Sequence, residues 1–380
     1  MSTYYDDLET RSHDAREAAQ AAALGLSLLS DLAALPVLRK SDLSEKQRTA
    51  PPFGGLVKGA YAQVFQSPGP IYEPGGISHD WWRFGRFLHA AGIGADDIVQ
   101  NCFGYHLTPA GHMFESGARA VGAKVLPAGT GQTELQVRAA SDVGVTAYAG
   151  TPDYLNVILE KADEMGETLS ITKAAVSGGA LFPSLREAYA VRGIACLQCY
   201  GTADLGQIAY ESPAMEGMII DEGAIVEIVR PGTGDPVPDG EVGEVVVTTL
   251  NPDYPLVRFA TGDLSAVMPG QSPCGRTNMR IKGWMGRADQ TAKVKGMFVR
   301  PEQVADLVAR FDDVSRARVV VSRSGEMDVM TVQLETQSTD TTCYEGAVVD
   351  LLKLRGSVEL VTPDSLPNDG LVIEDLRRYD

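Results

Sequence analysis

Short strand-like runs alternate with helix-length segments between Ala123 and Val191, and this alternation restricts the fold more than any other feature of the sequence. The strand-like runs are Ala123–Leu126, Val145–Tyr148 and Ala174–Val176, and the helical segments lie near Tyr154–Met165 and Pro183–Val191. Strands joined by crossover helices make a layered α/β domain, because each helix must bury its apolar stripe against a sheet. Ile194–Tyr200 reads as a further buried strand that runs into a Tyr-Gly turn. Upstream, Trp81, Phe84, Leu88 and Ala91 recur at helical spacing from His79 to Ala91 and Gly92 ends the run, which predicts a core helix. Asp14–Leu35 is Ala/Leu-rich and helical in pattern, and Ser41 is placed to cap the segment after it.

After Tyr210 the pattern turns to β. Ala224–Ile228 and Glu244–Thr249 flank the Gly/Pro-rich Pro231–Gly243, which suggests a small β-subdomain or distorted barrel. Farther on, Pro301 stands at a first helical position and Val304, Leu307, Val308 and Phe311 obey the helical rule. Ala317–Ser322 and Val329–Glu335 read as a hairpin turning at Arg323–Glu326, with a helix near Tyr344–Leu354 and a strand at Val358–Val361 after it. That set is a compact α+β module. Neither repeats nor low-complexity segments occur.

With 380 residues the chain is long enough for two or three domains. Its formal charge of −17 argues against a nucleic-acid surface, which leaves a basic footprint, and identifies no partner by itself. Met1–Arg11 is acidic without an apolar core, unlike a signal or transit peptide, and no window has the roughly 18 apolar residues of a membrane span. Five scattered cysteines make no disulfide framework. Cytoplasmic localisation is therefore expected. Cys196 and Cys199 form a C-x-x-C, but on a buried strand that spacing does not make a redox site.

The chemistry concentrates between Tyr254 and Pro301. In Arg258–Asp263 a carboxylate comes just after a glycine turn, an acceptor-only group suited to both hydroxyls of a ribose. Gly286-Arg287-Ala288-Asp289 sets an always-charged fork beside a flexible glycine. Lys293, Lys295 and Arg300 gather cations nearby.

Together with Leu35–Leu43, Gly129–Glu134, Ser177–Ala180, Tyr200–Asp204, Pro273–Thr277 and Ser365–Gly370, these motifs resemble the adenylate-forming acyl-CoA synthetase superfamily, in its phenylacetate-CoA ligase-like branch. The resemblance covers nearly the whole chain. It implies a large N-terminal AMP-binding domain over residues 1–287, with a β-subdomain at about 208–280, and a small mobile α+β domain over 288–380 that pivots at Asp289. The segment ahead of Leu35 is short by comparison, as if a helix-loop had been lost. The implied reaction uses ATP, Mg²⁺ and coenzyme A: a carboxylate becomes an acyl-adenylate, and CoA then displaces AMP. The small-molecule acid and CoA are the partners implied, with no nucleic acid, no membrane, and a homodimer as the assembly to test.

By the same resemblance, Ser177, Gly178, Gly179 and Ala180 line the adenine and Tyr200 stacks near it, with Gly201 and Thr202 in the same motif. Asp263 holds the ribose and Arg287 reaches ribose or phosphate. Asp204 stands where a Glu carries Mg²⁺. Lys293 and Gly296 match the segment that serves thioester formation. Tyr105, His106 and Gly129 are the candidate acyl-pocket residues, and the branch points to an aryl or arylacetic acid.

Three positions depart from the pattern. The phosphate-loop segment Gln66–Gly76 keeps Ser67, Gly69 and Gly76, but interior prolines remove N–H donors and Glu73 stands where a Lys is expected. Ala203 supplies no hydroxyl where Thr or Ser is usual. Leu371 occupies the place of the lysine that stabilises the adenylation transition state, and losing such a charge slows a step by about 10²–10³. Relatives with a structural zinc use cysteines and a histidine where this chain has Glu211, Glu216 and the single Cys274, so no zinc is expected. Two classes remain: an acyl-CoA ligase with weakened adenylation, and a noncatalytic or half-reaction homologue that binds nucleotide or acyl-adenylate.

Overall fold

A computed structural model describes residues 29–67, 70–288, 290, 292–294, 297–324 and 327–377. The helical expectation for 14–28 therefore lies outside the described residues, and Leu29–Ala34 is a 3₁₀ turn. Two compact units are formed. The first comprises the described residues up to Val226 with Val247–Phe259 and Met268–Gly283, and the second Glu227–Val246, Ala260–Val267 and Trp284 onward.

The first unit opens with α1 (Lys40–Thr49) and the antiparallel pair β1 (Tyr61–Ser67) and β2 (Ile71–Gly76). The N-cap of α1 is Arg39, whose backbone N–H donates to Asp42 Oδ2 at 3.0 Å, so the capping contact comes from Asp42 rather than Ser41. Then come α2 (Phe84–Ala90), β3 (Ile98–Asn101), α3 (Ala110–Ala120), β4 (Lys124–Leu126), α4 (Thr133–Val143), β5 (Ala147–Gly150), α5 (Pro152–Met165), β6 (Lys173–Val176), α6 (Pro183–Val191) and β7 (Ala195–Thr202). Strands β3 to β7 pair in parallel in the order β4-β3-β5-β6-β7, the sheet that the alternation predicts. β3, α3 and α4 are additions: Ile98–Asn101 is too short, and Ala110–Ala120 too alanine- and glycine-rich, to stand out by periodicity. The antiparallel strands β8 (Gly206–Tyr210), β9 (Met218–Ile220) and β13 (Arg280–Ile281) extend the sheet beyond β7. Tyr148, Leu155, Ala174, Val176 and Tyr189 fill the layer between sheet and helices.

The predicted helix over 79–91 is shortened at its start. Asp80 and Arg83 adopt left-handed φ values of 47° and 67°, and Asp80 Oδ2 accepts the Gly85 N–H at 2.9 Å, so α2 begins at Phe84. Arg83 is drawn away to Asp221 at 2.7 Å and to the carbonyls of Leu205 and Gln207. Trp81 and Trp82 are buried without belonging to the helix.

β10 (Ala224–Val229), β11 (Val242–Thr249) and β12 (Phe259–Met268) are neighbours in that order, and each contributes residues to both units. Within the second unit Val242, Leu264, Ala266 and Ala288 form a small core. A hairpin of β14 (Ala292–Val294) and β15 (Met297–Val299) precedes α7 (Pro301–Ala309), β16 (Arg316–Ser324), β17 (Met327–Glu335), α8 (Thr342–Leu352), β18 (Ser357–Val361) and β19 (Ile373–Asp375). The four-stranded sheet runs β18-β17-β16-β19, with β16 and β17 antiparallel and both outer strands parallel to their neighbours. α7 and α8 pack Val304, Leu307, Tyr344 and Val348 against Val319, Val332 and Leu334. This is the α+β module read from the sequence, with β19 added. Among the described residues no helix is long and apolar enough to cross a membrane.

Candidate active site

Strand order reverses at β3, whose two parallel neighbours are β4 and β5, and in open α/β sheets a ligand crevice lies outside the carboxyl ends of strands at such a reversal. The residues singled out from the sequence leave the sheet there: Tyr105 after β3, Gly129 after β4, Ser177–Ala180 after β6, and Tyr200–Asp204 at the end of β7. Local sequence explains the exits. Gly178 adopts φ +71°, and a Cβ on Gly201 would lie 2.6 Å from the Gly206 carbonyl, so both turns need glycine. The Thr202 hydroxyl accepts the Leu205 N–H at 3.2 Å and closes the turn that delivers Asp204.

Tyr105 and Gly129 are brought together. The Tyr105 hydroxyl accepts from Asn101 Nδ2 at 2.7 Å, Gly129 N–H donates to the Asn101 carbonyl at 2.9 Å, and a Cβ on Gly129 would stand 4.0 Å from the Tyr105 ring. Burial pushes the Tyr105 hydroxyl pKa upward, with the Glu115 charge adding to it. His106 is exposed, whereas His112 packs edge-on against Tyr105 at 5.2 Å and bonds Gln63 at 3.2 Å. Phe103 stacks on Phe114 and reaches to 3.7 Å of a Cβ built on Gly178, so it joins the acyl-side residues to the Ser177–Ala180 turn. Ser177 Oγ donates to the Cys199 carbonyl at 2.9 Å across β6 and β7, Gly179 and Ala180 are exposed, and Tyr200 is buried. Asn101 and His112 carried no motif signal, and the reversal at β3 is what marks them, whereas Phe103 belongs to the aromatic, glycine-rich segment Cys102–Thr108 that carries Tyr105 and His106.

The segment expected as a phosphate loop is a hairpin. Ser67 lies on β1, Glu73 and Gly76 lie on β2, and in register Phe65 faces Glu73. The β-branched and aromatic residues Val64, Phe65, Ile71 and Tyr72 favour strand pairing, and Pro74 lies on β2 opposite Val64. Glu73 is only 1% exposed, and neither carboxylate oxygen has a hydrogen-bond partner. Burial, then the Asp204 charge, pushes its carboxyl up to about 8; Ser67 and Lys40 lie near enough to oppose this, although no donor reaches hydrogen-bond geometry. Asp204, also buried, takes Lys40 Nζ on Oδ2 at 3.1 Å and leaves Oδ1 without a partner. Lys40 belongs to the Leu35–Leu43 motif, and its contact spans 164 positions, too far for local spacing to reveal. The buried Tyr254 hydroxyl is likewise unpartnered, its pKa raised by burial and then by Asp204 and Glu73.

In the second unit Asp263 and Arg287 form an antiparallel bridge, and Arg287 Nη1 donates to Asp263 Oδ1 at 2.8 Å. Trp284 Nε1 donates to the same oxygen at 3.1 Å, while its ring is 55% exposed. A tryptophan between two glycines beside the Gly-Arg turn was a readable signal for this neighbour. Leu371 borders a cleft of about 220 Å³ with Val242, Val304 and Val308. Its loop is tied by Gln290, which donates to the Gly370 carbonyl at 2.7 Å and accepts from the N–H groups of Val372 and Ile373. Arg377, the nearest described cation downstream, is engaged by Asp328 and Asp375. Gly69, Asp289, Lys295 and Gly296 lie outside the described residues, as does the side chain of Lys293 on β14.

At the places of the relatives' zinc ligands, Glu211 is held by Arg186 at 2.8 Å and by Gln198, and Cys274 lies 3.1 Å from Ser272 Oγ. Among the described residues no three His, Cys, Asp or Glu side chains gather as a metal site. Cys196 and Cys199 lie buried on β7, and burial pushes both thiols up to about 12.

Residues 83–251 match the family model of the AMP-binding enzymes. The chain is 30% identical over 330 residues to a phenylacetate-coenzyme A ligase of Thermus thermophilus, covering 82% of this chain and 73% of the relative. It is 30% identical over 338 residues to the Escherichia coli enzyme of the same name, covering 83% and 75%. Among solved structures, a 2-hydroxyisobutyryl-CoA ligase in its postadenylation state superposes with a TM-score of 0.65 at 24% identity, covering 95% of this chain and 85% of that one. At that identity the likeness speaks for the fold.

Proposed function

We propose a two-step ligase chemistry from one premise: this chain belongs to the AMP-binding, adenylate-forming enzymes, in their phenylacetate-CoA ligase-like branch. The substrate is an aryl or arylacetic acid, with phenylacetate the first to test. One of its carboxylate oxygens attacks the α-phosphorus of ATP, the bond to the β-phosphate oxygen breaks, and pyrophosphate leaves. The sulfur of CoA then attacks the acyl carbon of the adenylate, the bond to AMP breaks, and the thioester forms. Activation is required because a carboxylate is a poor electrophile and AMP a good leaving group.

The observation that carries this reading is the convergence of Tyr105, Gly129, Ser177–Ala180 and Tyr200–Asp204 at the carboxyl ends of the parallel strands around the reversal at β3. In the proposed roles, the Ser177–Ala180 turn and Tyr200 receive the adenine, and glycine lets the flat ring approach the backbone. Tyr105, with Gly129, Phe103 and His112, lines the acyl pocket. Asp263 accepts the ribose hydroxyls while Arg287 and Trp284 orient its carboxylate, and Lys293 serves thioester formation with Asp289 as pivot. Mg²⁺ supplies charge neutralisation at the phosphates, and the partnerless oxygens of Asp204 and Glu73 suit a hard cation.

Glu73, Ala203 and Leu371 favour a second reading, a homologue that binds nucleotide or acyl-adenylate without performing adenylation. Pyrophosphate release from ATP with phenylacetate and a panel of aryl acids, alongside AMP binding, separates the two. Acid-dependent release supports the ligase. AMP binding without release on any acid, even after Leu371→Lys, supports the second reading.

A further inference from the structure

One buried amide gathers the loop that follows β4. Gln136, on α4, is 5% exposed and makes polar contacts on two sides. Its Nε2 donates to the Gly131 carbonyl at 2.6 Å and to the Gly129 carbonyl at 3.1 Å, and lies 3.5 Å from the Ala128 carbonyl. Its Oε1 accepts from Gln100 Nε2 at 2.9 Å, at the carboxyl end of β3, and from the thiol of Cys102 just beyond it at 3.2 Å. A side-chain amide has two N–H donors and two acceptor lone pairs, so this one is used in full and its neighbours fix which end is which. We infer, resting on the acyl-pocket role proposed above for Tyr105 and Gly129, that Gln136 is a positioning residue for the acyl group: by clamping residues 128–131 to the end of β3 it sets the wall that Gly129 forms beside Tyr105.

The loop needs such a clamp. Gly129 and Gly131 have φ values of +66° and +77°, and Gln132, without glycine's freedom, has φ +53°. A residue other than glycine stays in the left-handed region only where its surroundings over-determine the backbone. Gly131 is exposed, and its carbonyl takes a second donor from the Tyr154 hydroxyl at 3.1 Å. Ring and loop hang from three consecutive residues. Asn101 donates to the Tyr105 hydroxyl at 2.7 Å and accepts the Gly129 N–H at 2.9 Å, while Gln100 and Cys102 hold the amide that grips the Gly129 carbonyl. A Cβ on Gly129 would stand 4.0 Å from the Tyr105 ring, so movement of the loop changes the space beside that ring directly. A side chain that merely joined α4 to the sheet would need only its Oε1 contacts. Both N–H donors go to the loop instead.

Calorimetry with AMP and with phenylacetyl-sulfamoyl-adenosine, a stable mimic of phenylacetyl-AMP, reads the acyl contribution as the ratio of the two Kd values. Gln136→Met keeps the length and removes every hydrogen bond. The ratio should fall about tenfold, the scale of ordering a freed loop on binding, while AMP affinity is unchanged. Gln136→Glu keeps the acceptor side and, protonated by burial, one donor, so its ratio should fall between the other two. A wild-type ratio in Gln136→Met overturns the inference whatever the thermal midpoint, because a merely structural role lowers the midpoint and leaves the ratio alone. Equal losses of AMP and mimic affinity overturn it too, as does a wild type that binds the mimic no more tightly than AMP. Where the methionine variant fails to fold, Gln136→Glu decides, and a wild-type ratio there sinks the clamp. Since binding alone is read, a protein that releases no pyrophosphate on any acid counts against the ligase reading and leaves the ratio to judge Gln136.

Discussion

Asp263 and Cys274 illustrate how a side chain's surroundings set its chemistry. Asp263 Oδ1 accepts from both Arg287 and Trp284, which fixes the carboxylate's orientation. Trp284→Phe keeps an aromatic ring and removes one donor, a loss of about 1 kcal/mol. AMP affinity measured by calorimetry should therefore weaken about fivefold, and an unchanged Kd would dismiss the orienting role. At Cys274 burial alone would raise the thiol pKa, but hydrogen bonds from Ser272 and the Arg276 backbone outweigh it and bring the thiol down to about 7. The thiolate is the nucleophile, so iodoacetamide labelling in a Cys343→Ser background should rise through pH 7 and level off above it. Cys102, Cys196 and Cys199 are buried with thiols pushed up to about 12, and they should stay silent in the folded protein. A rate still climbing steeply above pH 9 contradicts the lowered value. Asp263 and Arg287 were legible because 24 positions separate them within one motif cluster; Lys40 and Asp204 pair across 164 and left no local trace.

Among the elements, the β1–β2 hairpin departs most from the sequence reading. Proline and glycine in 66–76 suggested a loop, but the strand-forming residues on either side pair, and the Gln66 N–H is taken by the Leu107 carbonyl at 2.9 Å. Gly76 serves packing here: a Cβ would fall 2.0 Å from Trp81 Nε1, which donates to Asp253 Oδ2 at 3.2 Å. Trp81 is held on its other side by Trp82 at a ring separation of 5.2 Å, so it has little room to yield. Gly76→Ala should cost about 1–3 kcal/mol, the range for overpacking, and lower the urea midpoint without changing the slope. An unshifted midpoint would mean that Trp81 moves freely. α7 was legible in sequence because Pro301 opens its first turn and Val304, Leu307 and Val308 make an apolar stripe. The start of α2 was not, since it depends on an Asp80 carboxylate and on Arg83 reaching residues more than a hundred positions away.

For the whole molecule, a parallel sheet and a separate α+β module can be read from periodicity, whereas the reversal at β3 that locates the site depends on strand order, which no local pattern encodes. The proposed adenylation step turns equally on a position far along the sequence, Leu371. Its loop is already ordered: Leu371 N–H donates to Asp369 Oδ1 at 2.9 Å, and Gln290 holds Gly370, Val372 and Ile373. A lysine at 371 would therefore enter a backbone that needs no rebuilding, at the border of a cleft lined by Asp235 and Glu241 as well as by Val242, Val304 and Val308, where its apolar stem can lie along the valines while the ammonium stays solvated. If the missing charge limits the first step, Leu371→Lys should raise acid-dependent pyrophosphate release by about 10²–10³. Thioester formation from synthetic phenylacetyl-AMP and CoA bypasses that charge, so it should proceed in both proteins at similar rates. A gain confined to pyrophosphate release assigns the deficit to residue 371. No gain on any aryl acid, with AMP still bound and the thioester step intact, would identify a protein that consumes acyl-adenylates made elsewhere.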